Sequence, residues 1–418
     1  MSDVLNDKET AAAPSAPNPD YAITGDDLYN AVHGRQLEMV LNAAAQSKNQ
    51  PVMNDNFRPV PGIACDYFQN DWMQNLTAFR SGANLHTGFN NLDQQQPLYP
   101  GLYTLGAISS LGKTSFVYQI ADNIAEAGTP VLYFSTEQSR MELFSKSISR
   151  RINQNAMNDA TYNRYTSIQI RRGEADGTRE LTEQIAAYTA AVGNRMVVIE
   201  CGFDMTVEDL MVMIDAYVEK TGLTPVVVVD YLQNLTPSYV NGRLITDTRV
   251  SMDHIVHALK TYQKDHNMVM ITICSLNRQN YLLPVDFESF KESGGIEYTA
   301  DVVWGLELAI MTEDKFERFT ETYKDAKGNP KEKSRETTTS ERRTMVKNEK
   351  NKDVRSVKLV VLKNRFGKSS YSLDFKYKPA FDTFEPQPAY WPGYMTSAGI
   401  SKEDYEASQQ EKAECGKH

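Results

Sequence analysis

Residues 106–115 read Gly-Ala-Ile-Ser-Ser-Leu-Gly-Lys-Thr-Ser, a run whose residue types suit the binding of phosphate. The run sits between an apolar stretch expected as a strand, 101–108, and a helical pattern over 114–127. A loop entering a helix in this way turns backbone N–H groups toward phosphate oxygens and adds the favourable end of the helix dipole. Gly112 allows close backbone approach, Lys113 is expected to reach the β- and γ-phosphates, and the Thr114 hydroxyl to ligate Mg²⁺. Ala107 stands where the general pattern has its first glycine. The candidate nucleotide-binding residues are Ala107, Ser109, Ser110, Leu111, Gly112, Lys113, Thr114 and Ser115. A chance Gly-Lys-Thr in a turn is the alternative, and the flanking strand and helix argue against it.

Two acids lie where such a loop needs them. Residues 225–230, Pro-Val-Val-Val-Val-Asp, form an apolar strand ending in a carboxylate. Ligands of open α/β sheets gather at the carboxyl ends of the strands, so Asp230 is expected to hold Mg²⁺ through water, opposite Thr114. Glu137 follows another apolar run, Val-Leu-Tyr-Phe-Ser-Thr at 131–136. From there it can orient and deprotonate an attacking water. Glu137 can also be read as a helix-start residue favoured by the dipole.

The elements that must carry these residues alternate. Strand-like runs fall at 101–108, 130–135, 195–201, 225–230, 268–274, 302–308 and 357–362, with helical patterns at 114–127, 140–151, 206–221 and 249–266. This rhythm predicts an α/β fold with a mainly parallel, twisted sheet and helices on both faces. Val226–Val229 is apolar throughout, as suits a central strand buried on both sides. Residues 1–23 are small, polar and proline-broken and are expected to be disordered. Residues 24–84 read as a short helical and linker region. Within it, Tyr67, Phe68, Trp72, Leu76 and Phe79 follow helical spacing. That helix either packs on its own domain or is donated to a neighbouring subunit. The ATPase-like core is expected over 85–384, and 385–418 as an unstructured tail.

Residues 311–356 break the rhythm. Their 13 Lys/Arg and 10 Asp/Glu leave few apolar side chains, which predicts a solvated, partly disordered insertion ahead of a DNA-binding arm. The four cysteines, Cys65, Cys201, Cys274 and Cys415, show no paired or metal-ligand spacing, as expected of reduced thiols in a cytoplasmic protein. No apolar run is long enough to span a membrane. A formal charge of -10 argues against a protein that coats nucleic acid with its whole surface, while leaving a basic channel open.

The chain resembles the C-terminal, RecA-like ATPase domain of DnaB-type replicative helicases over roughly residues 85–384. The resemblance rests on an ordered series: Thr87-Gly-Phe-Asn-Asn-Leu-Asp93, the loop at 107–114, Phe134-Ser-Thr-Glu137 and Asp230-Tyr-Leu-Gln233. Ser275-Leu-Asn-Arg278, Glu292-Ser-Gly-Gly-Ile-Glu297 with Asp301, and Lys363-Asn-Arg365 complete it. The resemblance implies ATP and Mg²⁺ as cofactors, with Lys113, Thr114 and Asp230 as ligands and Glu137 as catalytic base. It further implies that Lys363 and Arg365 reach into a neighbouring subunit's ATP site, and that the protein assembles as a homo-hexamer. Gln233, Ser275, Asn277 and Arg278 match coupling and sensor positions. Lys291, Glu292 and Gly294 match the loop that tracks single-stranded DNA, and 237–247 is a second candidate channel loop.

Two departures stand out. The family usually has Gln where this chain has Ser275, so coupling of hydrolysis to DNA is expected to differ. The 85 or so leading residues are too few and too polar for the family's helical collar, which counts against primase docking through it; loader and primase partners are not legible. The resemblance thus implies an ATP-dependent DNA helicase motor. A RecA-like recombinase or annealing ATPase, and an ATP-responsive assembly module that does not unwind, are the competing readings.

Overall fold

A computed structural model describes residues 67–388, apart from 83–84, 96, 203, 237–238, 241–242, 245–246, 278–279, 291–293 and 325–329. The expectations for 1–66, for 389–418, and for Arg278, Lys291 and Glu292 lie outside the described residues, as does most of the loop at 237–247. The chain divides into two units, Met1–Ala78 and Phe79–His418.

In the first unit the helical spacing is realised. A turn at Tyr67–Asp71 leads into the helix Trp72–Gly82. The rings of Tyr67, Phe68 and Trp72 pack on one another with centroids 5.3–6.2 Å apart.

Among the described residues the second unit has thirteen strands: β1 (Gly101–Ala107), β2 (Val131–Ser135), β3 (Met196–Glu200), β4 (Val226–Asp230), β5 (Tyr239–Val240), β6 (Arg243–Leu244), β7 (Val269–Ser275), β8 (Val302–Leu308), β9 (Arg318–Lys324), β10 (Pro330–Glu336), β11 (Arg355–Asn364), β12 (Tyr371–Lys378) and β13 (Thr383–Pro386). Nine of them form one sheet in the order β13-β12-β11-β8-β1-β7-β4-β2-β3. From β8 to β3 all neighbours are parallel, whereas β11, β12 and β13 add on antiparallel. Every residue of β1, β2, β4 and β8 is buried. Successive side chains in a strand point to opposite faces, so both faces of this part of the sheet are covered.

Local chemistry sets the helix boundaries. Ser139 caps the helix Arg140–Asn158 in a reciprocal pair with Glu142, and Thr206 and Asp209 do the same for Val207–Thr221. Gly222 closes the latter in the left-handed region at φ 69°. Asp93 accepts hydrogen bonds from the Thr87 amide and hydroxyl and from the Gly88 amide at 2.7–2.9 Å. The Thr-Gly-…-Asp motif is thus a closed turn that brings Phe89 into the core. There Phe89, Phe116, Phe375 and Phe384 meet with centroids 5.0–6.4 Å apart between the pairs in contact. This aromatic cluster fastens the C-terminal strands to the helix Lys113–Glu126, so the sheet continues past residue 384 to Pro386.

The charged stretch 311–356 differs from its expected partial disorder. Among its described residues β9 and β10 pair as an antiparallel hairpin, followed by the helix Thr339–Lys350. Composition hides this because the hairpin needs no core of its own. It is tied down by the buried Phe316 and Val346, by the Thr337 hydroxyl donating to Phe316 O, and by a Thr338–Glu341 helix cap. The run at 371–378 is legible in sequence only as part of the core; it is strand β12, alternating between buried and outward residues.

Phe375→Ala is expected to cost about 3–5 kcal/mol of stability, because it opens a cavity among three other rings. Urea denaturation checks this; a loss below about 1 kcal/mol would mean that the antiparallel strands are not fastened through this cluster.

Candidate nucleotide site

Three neighbouring parallel strands, β1, β7 and β4, end side by side and build the site. β1 stops at Ala107, which pairs in register with Ser275 of β7. β4 stops at Asp230, opposite Ser135 of β2. From Ala107 the chain turns through 108–112 into the helix Lys113–Glu126. Gly112 begins that helix at φ 86°, and a Cβ there would lie 2.6 Å from the Tyr377 ring. Conformation and space both demand glycine. Ser110 also takes the left-handed region, at φ 65°, a conformation uncommon for a residue with a side chain.

Lys113 folds back over the loop and donates to Ala107 O at 3.2 Å. Asp230 is fully buried and accepts a hydrogen bond from Tyr133 OH at 2.8 Å. Burial pushes its carboxyl above the usual range. The Tyr133 and Thr114 hydroxyls and the charge of Lys113 oppose that rise, and the neighbouring Glu137 adds to it. Lys113, Thr114, Glu137 and Asp230 are therefore within electrostatic reach of one another. Glu137 is exposed just beyond β2. Thr114 and Asp230 offer two oxygen donors rather than a closed cage, and no group of three or more potential His, Cys, Asp or Glu ligands exists among the described residues. Mg²⁺ fits such a site, since it takes one or two protein oxygens and completes its shell with water and phosphate.

The sensor candidates sit beside the loop. Gln233 Oε1 accepts from the Ser275 amide at 3.4 Å, while Gln233 Nε2 is buried without a partner. Asn277 is tied to the turn at Phe287–Ser289: its amide donates to Ser289 O at 2.7 Å and its side chain to Glu288 O at 3.4 Å. Gly294 opens the short helix Gly294–Thr299. There Gly295 lies so close to the helix Thr248–Asp265 that a Cβ would meet Asp253 at 2.3 Å.

Lys363 and Arg365 are not brought to this loop. Asn364 pairs with Val302, and Val302 with Tyr103, four residues before Ala107, or about 13 Å along the strand. Lys363 Nζ donates to Glu297 O at 2.6 Å, and Arg365 forms an ion pair with Asp301 at 3.0 Å. Both cations lie at the far end of the sheet from their own phosphate loop.

Several residues at the site are not singled out by the sequence. Tyr133 has a signal: a tyrosine inside a buried strand needs a hydroxyl partner. Tyr377, which walls Gly112, has none. Lys350 and Arg355 donate to the loop carbonyls Ser109 O and Ser110 O, each at 2.8 Å, and both are hidden in the charged run. Asp382, at φ 50°, accepts from Ser115 Oγ and Ser167 Oγ at 2.8 Å and from Lys146 Nζ at 2.5 Å. It thereby anchors the first turn of the loop helix.

The model of the DnaB-like helicase C-terminal domain family matches residues 84–386. Among solved structures, the chain is similar to a protein's ATPase domain, with a TM-score of 0.56 and 17% identity over 77% of this chain and 98% of that one. It is also similar to a DnaB-like replicative helicase described with its interactions with primase, with a TM-score of 0.54 and 16% identity over 87% of this chain and 79% of that one. At such identities the likeness is one of fold, and the fold is the RecA-like α/β arrangement. No curated protein sequence matches the chain.

Burial alone would raise the Asp382 carboxyl, but Lys146 and the two serine hydroxyls hold it below the usual range. A depressed folded value gives stability that is present above the unfolded value, near 3.9, and lost as pH falls through the folded one. Asp382→Asn leaves Lys146 buried and unpaired and is expected to cost about 3 kcal/mol at pH 7. Chemical denaturation should show the gap between variant and wild type closing below roughly pH 4; a gap independent of pH would remove the ion pair from the account.

Proposed function

The chain belongs to the DnaB-like helicase C-terminal domain family, and on that premise we propose that it is an ATP-hydrolysing DNA helicase motor, acting as a homo-hexameric ring that moves on single-stranded DNA. The observation that carries the reading is the convergence of Lys113, Thr114, Asp230 and Glu137 where neighbouring parallel strands end. One fixed cation, one hydroxyl, one buried carboxylate and one exposed carboxylate are the set that phosphoryl transfer to water requires.

In this reading the amides of 109–115 and the Lys113 ammonium bind the phosphates. Thr114 and Asp230 would hold Mg²⁺, which would supply charge neutralisation for the phosphates, and the Tyr133 hydroxyl holds the Asp230 carboxylate in place. Glu137 takes the proton of the attacking water. Lys363 and Arg365 serve the neighbouring subunit, because their own loop is at the other end of the sheet. A cation supplied across the interface stabilises charge on the transferred group and makes hydrolysis depend on assembly. Gln233 and Ser275, joined beside Ala107, would couple the loop to DNA, and Lys291, Glu292 and Gly294 would follow the DNA backbone. Ser275 favours a second reading, an ATP-responsive module that does not unwind. Unwinding of a forked duplex decides between the two.

Lys113→Ala is expected to abolish ATP hydrolysis, and Glu137→Gln to keep nucleotide binding while losing turnover. Equilibrium binding and steady-state ATPase measure the two effects, and wild-type turnover in Lys113→Ala sinks the assignment of the loop.

For the trans cations, Arg365→Ala should bind ATP and hydrolyse it on the order of 10³-fold more slowly. Mixtures of Arg365→Ala with Glu137→Gln subunits should recover part of the lost rate, since some interfaces then pair an intact Glu137 with an intact Arg365. Undiminished ATPase in Arg365→Ala alone would rule out the trans role.

A further inference from the structure

Three cations meet at the phosphate loop, and only Lys113 is part of it. Lys350, the last residue of the helix Thr339–Lys350, donates from Nζ to Ser109 O, and Arg355, the first residue of β11, donates to Ser110 O, each at 2.8 Å. Neither forms an ion pair with a carboxylate among the described residues, although Lys315, Arg335 and Lys352 of the same charged stretch all do. Arg355 Nε is buried without a hydrogen-bond partner. Desolvation first, and then repulsion from Arg355 and Lys113, lowers the Lys350 ammonium from its ordinary value; desolvation likewise lowers Arg355, against a smaller opposing effect of Tyr377. Gathering like charges in this way costs free energy in the nucleotide-free protein.

The contacts also fix the direction of the loop amides. In a trans peptide the carbonyl and the following N–H lie in one plane and point in opposite directions. A cation holding Ser109 O outward turns the Ser110 N–H the other way, and one holding Ser110 O does the same for Leu111. Ser110 needs such support, because its φ of 65° is unfavourable for a residue with a side chain.

We propose that Lys350 and Arg355 are positioning residues for nucleotide binding: they aim the amides of Ser110 and Leu111 into the phosphate loop, and their charge is compensated only when phosphate occupies it. The charged excursion 311–356 then serves to set nucleotide affinity. The proposal rests on the reading of 106–115 as a phosphate loop.

The test uses the full chain with Lys350→Met and Arg355→Met, Lys350→Arg as the conservative variant, and Lys113→Ala as the control for the loop itself. Binding of ATP, ADP and inorganic pyrophosphate in Mg²⁺ buffer is measured alongside the Tm without nucleotide and the steady-state constants. Each Met variant should weaken all three ligands by about tenfold, the loss expected of one charge-assisted contact. The loss should fall mainly on KM rather than kcat, and Lys350→Arg should restore most of it. The Tm without nucleotide should stay level or rise, since a like charge has been removed. Wild-type affinity in both Met variants, with binding lost in Lys113→Ala, would overturn the proposal and leave the phosphate loop standing. A fall in Tm matching the loss of affinity would overturn it too, by reducing the pair to a structural clamp. Undiminished binding in Lys113→Ala would instead remove the loop reading on which the proposal is founded.

Discussion

A carboxylate buried at the end of β4 constrains everything around it. Asp230 is only 1% exposed, and an ionised carboxylate in such a place survives only if donors and cations come to it. Tyr133 supplies a hydroxyl from the neighbouring strand, and Thr114 and Lys113, in the first turn of the loop helix, lie within electrostatic reach. Packing sets the position of that helix. Phe116, two residues after Thr114, lies in the aromatic cluster with Phe89, Phe375 and Phe384, while Ser115 binds Asp382. Two consecutive residues, Ser115 and Phe116, thus face two different partners: the C-terminal turn and the aromatic core.

The parallel part of the fold is legible in the sequence because its signals are local and repetitive. Val226–Val229 can hardly be anything other than a strand covered on both faces, and it is one. Lys113, Thr114 and Asp230 are readable because phosphate chemistry needs few residue types at fixed spacings, beside strand ends that periodicity also reveals. What escapes depends on distance in the chain. Asp382 reaches Ser115 across 267 residues, and Lys350 reaches Ser109 across 241, and no spacing rule spans such gaps. The hairpin of β9 and β10 escapes for another reason. Its order comes from ladder hydrogen bonds and from a few anchors such as Phe316, and a count of charges cannot distinguish that from a solvated coil.

Gln233 and Ser275 are joined directly. Gln233 spends its carbonyl oxygen on the Ser275 amide and leaves its amide nitrogen buried and unpartnered. An unpaired buried donor is costly, and this one lies beside the residue in register with the start of the loop.

Strand β11 draws the two halves of the electrostatics together. It runs antiparallel to β8, so its first residue, Arg355, lies at the end of the sheet where the phosphate loop is, and its last residues lie at the opposite end with Lys363. Eight residues of extended chain separate the two, about 26 Å. The strand is paired on both edges over Val357–Val361, and a bulge interrupts the β8 side before Lys363. Cations at one end bear on the loop of their own subunit, while those at the other end are too far away to do so and are held by Glu297, Tyr298 and Asp301. If the far pair serves a neighbour, each β11 touches two nucleotide sites, one at either end.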